Sequence, residues 1–177
     1  MLKKKILFVD RDGTILREPP VDQQIDRLEK FEFIPGVIGA LRQLAMETDY
    51  RFVMVSNQDG LGSPAFPLEN FLPLQQLMLQ ILEGEGVRFD EVLIDGSFPE
   101  EPSYRRKPSV GMVEKYLICP AETLMIGDTI HDAEVAKALG FDVLLYTGGH
   151  NSSDRLAQTA EIITQMNQIP DFLDKAD

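Results

Sequence analysis

A chain of 177 residues, 44% of them hydrophobic, is long enough to bury a core, and we expect one domain over residues 1–177. Its formal net charge of −12 argues against a nucleic-acid partner, because clustered lysines and arginines bind a phosphate backbone. No apolar run has the length of a membrane span, and the apolar stretch 6–9 is too short for a secretory signal. We therefore expect a cytoplasmic protein with no membrane partner.

Predicted strands and helices alternate along the chain. Short apolar runs predict strands at residues 4–9, 51–56, 91–95, 123–127 and 142–146. Apolar residues at helical spacing predict helices at residues 35–47, 68–83, 109–117, 131–139 and 153–165. This alternation predicts an α/β fold, in which a three-layer, doubly wound parallel sheet binds its ligand at the carboxyl ends of the strands.

Two irregular segments, residues 17–33 and 96–106, interrupt this pattern, and each contains two prolines. Loops of this length inside a compact domain usually carry function. The intervals after the first and second strands are too short to hold a large cap domain. We therefore expect the two irregular loops to shape the pocket themselves.

Two carboxylates, Asp10 and Asp12, follow the first predicted strand at a spacing that places both on one side of an extended chain. Acids held this close repel each other unless a cation or a proton lies between them. The stretch therefore predicts a metal ion, a shared proton, or both. The alternative is that the two acids and Gly13 form an ordinary turn after a strand.

Polar residues also cluster at the ends of later strands, where a ligand would bind. The second strand is followed by residues 56–60 (Ser-Asn-Gln-Asp-Gly), the fourth ends in residues 127–132 (Gly-Asp-Thr-Ile-His-Asp), and residues 105–108 (Arg-Arg-Lys-Pro) precede a predicted helix. Carboxylate oxygens suit Mg²⁺, and one carboxylate can attack phosphorus while another transfers protons. The set predicts hydrolysis of a small phosphorylated metabolite, whose phosphate oxygens a serine and a lysine can hold.

In this order, residues 10–14, 56–58, 107–108 and 127–132 resemble the four motifs of haloacid-dehalogenase-type phosphatases. The resemblance implies that Asp10 is the nucleophile and Asp12 the general acid/base. It also implies that Ser56 and Lys107 bind the phosphoryl group.

The same resemblance implies an Mg²⁺ site. Asp128 would bind the ion together with the Asp10 carboxylate and the backbone carbonyl of Asp12. Asp132 would support the site from outside or through water. A phospho-receiver signalling domain is a remote alternative, because it is also an acidic α/β domain with Mg²⁺ and a phosphoacceptor aspartate. The Asp-x-Asp-Gly-Thr pattern at residues 10–14 favours the phosphatase.

Residues 17–22, 57–62 and 89–94 resemble more narrowly the histidinol-phosphate phosphatases, which implies histidinol phosphate as substrate and a role in histidine biosynthesis. Heptose-bisphosphate phosphatases and other small-metabolite phosphatases of the superfamily share the four motifs and stay alternatives. Glu18 is a candidate for binding the amine or imidazole of histidinol phosphate. Asn57, Gln58 and Arg106 are further candidates for substrate contact.

Two segments depart from this resemblance. Many relatives carry a zinc loop of cysteine and histidine before the Arg-Lys-Pro motif, but residues 96–104 contain neither. We therefore expect no zinc, and other contacts must order this loop. The single cysteine, Cys119, gives no zinc-site spacing, and His150 is expected to be a loop residue. Residues 146–152 resemble the tail of phosphoglycolate-type relatives. The sequence does not indicate an oligomeric state.

Overall fold

The computed structural model describes residues 5–116, 122–148 and 160–174. The strands of this part are β1 (Ile6–Val9), β2 (Arg51–Asn57), β3 (Phe89–Asp95), β4 (Thr123–Gly127), β5 (Asp142–Tyr146) and β6 (Glu161–Ile163). Its α-helices are α1 (Val37–Glu47), α2 (Leu68–Gly84), α3 (Ile130–Leu139) and α4 (Ile169–Asp174). The strands form one sheet in the order β3-β2-β1-β4-β5-β6, and every neighbouring pair is parallel.

The sheet is buried on both faces, as the apolar β1 illustrates. Leu7 and Val9 lie in a core cluster with apolar residues of α1, α2 and α4, whereas Ile6 and Phe8 lie in a second cluster with residues of α3. Side chains alternate between the two faces of a strand, so a strand that is apolar throughout must be covered on both. The predicted three-layer, doubly wound α/β fold is confirmed.

All five predicted strands are present, with small shifts at their ends. β2 extends to Asn57, β3 begins at Phe89, and β1 begins at Ile6. β1 lies between β2 and β4 in the sheet. The carboxyl ends of these three strands therefore lie together at the middle of the sheet.

Two helix predictions are wrong where the structure describes them. Residues 161–163 of the predicted helix 153–165 form β6, in which Ile162 and Ile163 pair with β5. β-Branched residues are compatible with a pleated strand, and pairing with β5 outweighed the helical spacing of the apolar residues. Residues 109–113 form turns, and only Glu114–Tyr116 form a short 3-10 helix. Cys119, His150 and the end of segment 146–152 lie outside the described residues.

The segments after β1 and β2, which the structure describes in full, hold no large cap domain and are attached to the rest of the domain. Within the fully described stretch 5–116, residues 17–33 hold a single 3-10 turn, Leu28–Lys30, and an isolated bridge joins Leu16 to Phe33. Residues 58–67 form tight turns before α2. Both segments leave a cavity open at the carboxyl edge of the sheet. The described residues include no helix with the length and hydropathy of a membrane span.

Candidate active site

The carboxyl edge of the sheet brings together acids from separate strands around one lysine. Asp10 follows β1, Asp128 follows β4, and Asp132 lies in the first turn of α3. The Lys107 ammonium donates to Asp10 Oδ1 at 2.7 Å, to Asp132 Oδ1 at 2.6 Å and to the Val55 carbonyl at 3.1 Å. The sequence motifs that contain these residues therefore converge on one place.

Lys107 is buried at this junction with only 4% of its surface exposed. Burial alone would lower the pKa of its ammonium, but the Asp10 and Asp132 carboxylates raise that pKa above its ordinary value. The lysine therefore stays charged at neutral pH. It supplies a fixed positive charge within hydrogen-bond distance of the predicted nucleophile.

Three buried carboxylates, which we call the acidic cluster, face one another here: Asp10, Asp128 and Asp132. Each presents an oxygen, and these oxygens lie within 4.8 Å of one another. Burial raises the pKa of Asp10 to about 6, with Lys107 opposing the shift and Asp132 adding to it. Burial, then Asp10 and Asp132, raise the pKa of Asp128 well above its ordinary value. Three hard oxygen donors with excess negative charge fit a divalent cation such as Mg²⁺.

Two glycines permit this close approach of carboxylates. A Cβ atom on Gly13 would lie 2.0 Å from Oδ2 of Asp128, and Gly13 also has a φ of +80°. A Cβ on Gly127 would lie 2.3 Å from Cγ of Asp132. Any larger residue would therefore collide with a carboxylate of the acidic cluster.

Asp132 organises the backbone around Asp128 and does not face the cavity. It is fully buried, and its Oδ2 accepts hydrogen bonds from the Asp128 N–H, the Thr129 N–H and the Thr129 hydroxyl at 3.2, 3.1 and 2.9 Å. Its other oxygen accepts from Lys107. These contacts connect the start of α3 to the lysine, in agreement with the indirect role at the metal site that the resemblance implies for Asp132.

Asp12 is held from two sides. Its Oδ1 accepts from Arg11 Nη1 at 2.5 Å, and its Oδ2 accepts from Gln58 Nε2 at 2.8 Å. Arg11 is completely buried, donates from Nε to Gln75 of α2 at 2.8 Å, and lies 4.9 Å from the centre of the Phe71 ring. Sequence reasoning missed Arg11. The available signal was an arginine between two motif acids directly after a buried strand.

The residues after β2 have different contacts. Ser56 is buried, and its hydroxyl accepts from Gln58 Nε2 at 2.7 Å, so Gln58 links Ser56 to Asp12. The Asn57 amide donates to the Lys107 carbonyl at 2.9 Å, and its Oδ1 accepts from the Lys107 N–H at 3.0 Å. Asn57 therefore anchors the lysine-bearing loop, and its predicted contact with substrate stays a prediction.

A cavity of about 270 Å³ opens beside these groups. Asp10, Asp12 and Lys107 line it, and so does exposed His131 of α3. The expected contribution of the loop 17–33 is confirmed. Other lining residues come from both irregular loops, from the end of β2 and the segment after it, and from the start of α3: Glu18, Asp22, Gln23, Gln24, Asn57, Gln58, Asp59, Phe66, Arg106 and Thr129.

The cavity is acidic away from Lys107. Burial raises the pKa of half-buried Glu18 to about 7, and Asp12, Asp10 and Asp59 add to this shift. Arg106, predicted to bind phosphate, donates from Nη1 to Asp59 at 2.7 Å and to the Ser97 carbonyl at 2.9 Å. Its charge is therefore already paired within the cavity.

Comparison with known sequences identifies relatives over most of the chain. A family model described as HAD-hydrolase-like matches residues 104–174. The histidine biosynthesis bifunctional protein HisB of Bacteroides fragilis is 51% identical over 143 residues, which are 78% of this chain and 38% of that protein. HisB of Spirosoma linguale is 44% identical over 146 residues, 81% of this chain and 38% of that protein. The chain thus spans about two fifths of these relatives.

Comparison with solved structures supports the same fold. The D,D-heptose 1,7-bisphosphate phosphatase of B. bronchiseptica, solved with magnesium and phosphate, superposes with a TM-score of 0.84. It is 22% identical, and the match covers 98% of this chain and 99% of that one. The corresponding enzyme of Burkholderia thailandensis gives a TM-score of 0.61 at 22% identity, covering 96% and 98%.

These comparisons agree in three respects. A HAD-hydrolase-like model matches residues 104–174, HisB proteins match most of the chain at 44–51% identity, and the fold is shared with solved phosphatases. The chain is therefore similar to HAD-like hydrolases in its C-terminal part and to the HisB proteins over most of its length.

Proposed function

We propose that this chain is an Mg²⁺-dependent phosphomonoesterase that acts through an aspartyl-phosphate on Asp10. One observation carries the proposal: the charged, buried Lys107 ammonium contacts a carboxylate that shares the carboxyl edge of the sheet with Asp12 and Asp128. A positive charge at that point can hold a phosphoryl oxygen next to the nucleophile.

The reaction divides into two displacements at phosphorus. An Asp10 oxygen attacks the phosphoryl group, the ester P–O bond breaks, and Asp12 gives a proton to the leaving alkoxide. Asp12 then takes a proton from water as the water oxygen attacks the aspartyl-phosphate, which releases inorganic phosphate and restores Asp10. Arg11 and Gln58 hold Asp12 in one orientation through both steps.

The acidic cluster fits Mg²⁺, which would neutralise phosphate oxygens when bound. Asp10, Asp128 and the Asp12 carbonyl are the proposed ligands, and Asp132 holds Asp128 and Lys107 in place. We predict no zinc requirement. Protein treated with a chelator and given only Mg²⁺ should recover full activity, and metal analysis should find zinc far below one ion per chain. Stoichiometric zinc whose removal abolishes activity would contradict this.

Histidinol phosphate is the proposed substrate, which gives the chain a role in histidine biosynthesis. The HisB relatives are histidine biosynthesis proteins, which supports this choice. The cavity adds independent support, because Glu18 lines it near Asp12 and Asp10 and favours a cationic organic group. A volume of about 270 Å³ suits a small metabolite. A single domain over residues 1–177 and a cytoplasmic location stay predictions.

A heptose bisphosphate is the second candidate, because solved heptose-bisphosphate phosphatases share the fold. Their sugar substrate offers no cation to the acids of the cavity. Measurement of kcat/KM for histidinol phosphate, heptose bisphosphate and phosphoglycolate with Mg²⁺ decides between them. We expect histidinol phosphate to be hydrolysed best, with steady turnover. A clear preference for another ester overturns the substrate, and a single burst without turnover would indicate a receiver domain.

A further inference from the structure

The irregular loop after β3 is tied to the sheet by one carboxylate. Asp95, the last residue of β3, is 6% exposed and pairs in register with Asn57 of β2. Its Oδ1 accepts from the Ser97 N–H at 3.0 Å and from the Ser97 hydroxyl. Its Oδ2 accepts from the Ser103 hydroxyl at 2.7 Å. We call Asp95, Ser97 and Ser103 the Asp95 clamp.

The hydrogen bonds in this clamp match an ionised carboxylate. Ser103 Oγ accepts from the backbone N–H groups of Arg105 and Arg106, both at 3.2 Å, so its single proton points to Asp95. A hydroxyl has one proton to donate and two lone pairs with which to accept, and all three are used. An asparagine at position 95 would place its NH₂ group opposite one of the serine groups that now donate to the carboxylate, so two donors would face each other.

The direction of the pKa shift of Asp95 agrees with an ionised carboxylate. Burial acts to raise its pKa, but hydrogen bonds from Ser97 and Ser103 outweigh burial, and the Arg106 charge assists them. The net effect holds the pKa of Asp95 below its ordinary value. The carboxylate therefore stays charged across the neutral range and accepts every bond that the clamp offers.

The Asp95 clamp ends next to the phosphate-binding lysine. Ser103 fixes the N–H groups of Arg105 and Arg106, and the next residue along the chain is Lys107. Arg106 in turn donates to the Ser97 carbonyl, which lies inside the clamp. The Asp95 carbonyl also accepts from the Gln58 N–H at 2.8 Å, which links the clamp to the segment after β2.

We propose that Asp95 is a positioning residue for the phosphoryl group: its carboxylate acts through Ser97 and Ser103 to fix the backbone that carries Arg106 and Lys107. The kinetic consequence rests on the proposed phosphatase function, whereas the ordering of the loop does not. The effect should fall on phosphate affinity, because the clamp contacts neither Asp10 nor Asp12 and leaves the chemical step to them.

The test compares Asp95→Asn with Asp90→Asn. Asp90 lies on the same strand but pairs with Arg51 at the surface, so it controls for loss of a carboxylate on β3. In Asp95→Asn, amide hydrogen exchange in residues 97–107 should accelerate about tenfold, and exchange in α1 should not change. The inhibition constant of inorganic phosphate, measured with p-nitrophenyl phosphate and Mg²⁺, should rise about tenfold while kcat changes less than about threefold. Asp90→Asn should alter neither quantity.

A second variant separates positioning from general destabilisation. Ser103→Ala removes the Oδ2 link together with the two bonds to the Arg105 and Arg106 N–H groups, so the two variants share one hydrogen bond. Because of this shared bond, the effects of Asp95→Asn and Ser103→Ala on the phosphate inhibition constant should combine to less than their product in the double variant. Additive effects on the phosphate inhibition constant, or unchanged exchange and inhibition in Asp95→Asn, would overturn the inference. A wild-type protein that hydrolyses no phosphate ester would instead refute the proposed function, and the exchange measurement would still decide the role of Asp95.

Discussion

The acidic cluster and the Asp95 clamp both place buried carboxylate charge at the carboxyl edge of this sheet, and the charge is balanced in opposite ways in these two groups. The acidic cluster sets three carboxylates against the single Lys107 ammonium, and burial and mutual repulsion raise the pKa of Asp128. In the Asp95 clamp, burial is outweighed by neutral donors from two serines, and the pKa of Asp95 is lowered. The cluster therefore keeps excess negative charge for a cation, whereas the clamp is satisfied and gives order to a loop.

Removal of the Lys107 ammonium should disrupt the acidic cluster and have the largest effect. Lys107→Met leaves Asp10 and Asp132 buried without their cation. We expect a fall in kcat/KM of about a thousandfold and a loss of about 3 kcal/mol in the free energy of unfolding, measured by urea denaturation without Mg²⁺.

The matched control is Lys115→Met, which removes an exposed lysine paired with Glu91 and should change the free energy of unfolding by less than about 0.5 kcal/mol. Added Mg²⁺ should restore part of the stability lost in Lys107→Met, because a cation replaces the ammonium. The same addition should not rescue Asp95→Asn. Equal rescue of both variants would contradict the distinction between the two groups.

Disturbance of Asp12 should change the chemical step and spare phosphate binding, the reverse of the result expected at Asp95. Arg11→Lys keeps the charge but loses the fork that joins Asp12 to Gln75 of α2. We expect kcat to fall about a hundredfold, with less than about threefold change in the inhibition constant of inorganic phosphate. Arg27→Lys, at an exposed arginine beside Asp26, serves as the control. A shift in phosphate affinity without loss of kcat would count against this role for Arg11.

Glu18 should give the smallest effect, visible mainly as pH dependence. Its pKa is raised from 4.5 to about 7, so it gains negative charge as the pH rises through 7. KM for histidinol phosphate should therefore fall over that range by about three- to tenfold more in wild type than in Glu18→Gln. Comparison with Glu18→Gln cancels the effect that titration of the substrate itself has on KM. Glu29→Gln, which changes an exposed acid on the same loop, serves as the control.

Stability gives an independent reading of the same group. An acid with a raised folded pKa contributes stability that is fully present below 4.5 and is lost as the pH rises through about 7. Wild type should therefore lose stability relative to Glu18→Gln between these pH values. Parallel stability curves for the two proteins would show that Glu18 titrates with its ordinary pKa.

Much of this structure could be predicted from local sequence patterns, whereas the rest depends on contacts between residues far apart in the chain. β1 and the acids after it could be predicted because an apolar run followed by polar residues is a pattern of adjacent residues. Asn57 anchors Lys107 across 50 positions of the chain, and no local sequence pattern predicts this contact. The Asp95 clamp could not be predicted for a similar reason, since a serine eight positions from an aspartate suggests an ordinary loop.

The wrong predictions have a physical cause as well. Apolar residues at helical spacing predict a helix over residues 153–165, but pairing with β5 decides the structure of residues 161–163. Residues 109–113 follow Lys107-Pro108 and form turns that place Met112 and Val113 in the core without a helix. In both places tertiary packing outweighed a weak local preference.

The central claim is that Asp10 becomes phosphorylated during turnover. Wild type and Asp10→Asn, mixed with excess histidinol phosphate and Mg²⁺ and quenched in acid within one turnover, can be compared by peptide mass spectrometry. The account predicts one added phosphoryl group on the peptide that contains Asp10 in wild type, and neither label nor turnover in Asp10→Asn, which should remain folded. Label on another residue, or turnover by Asp10→Asn, would contradict it.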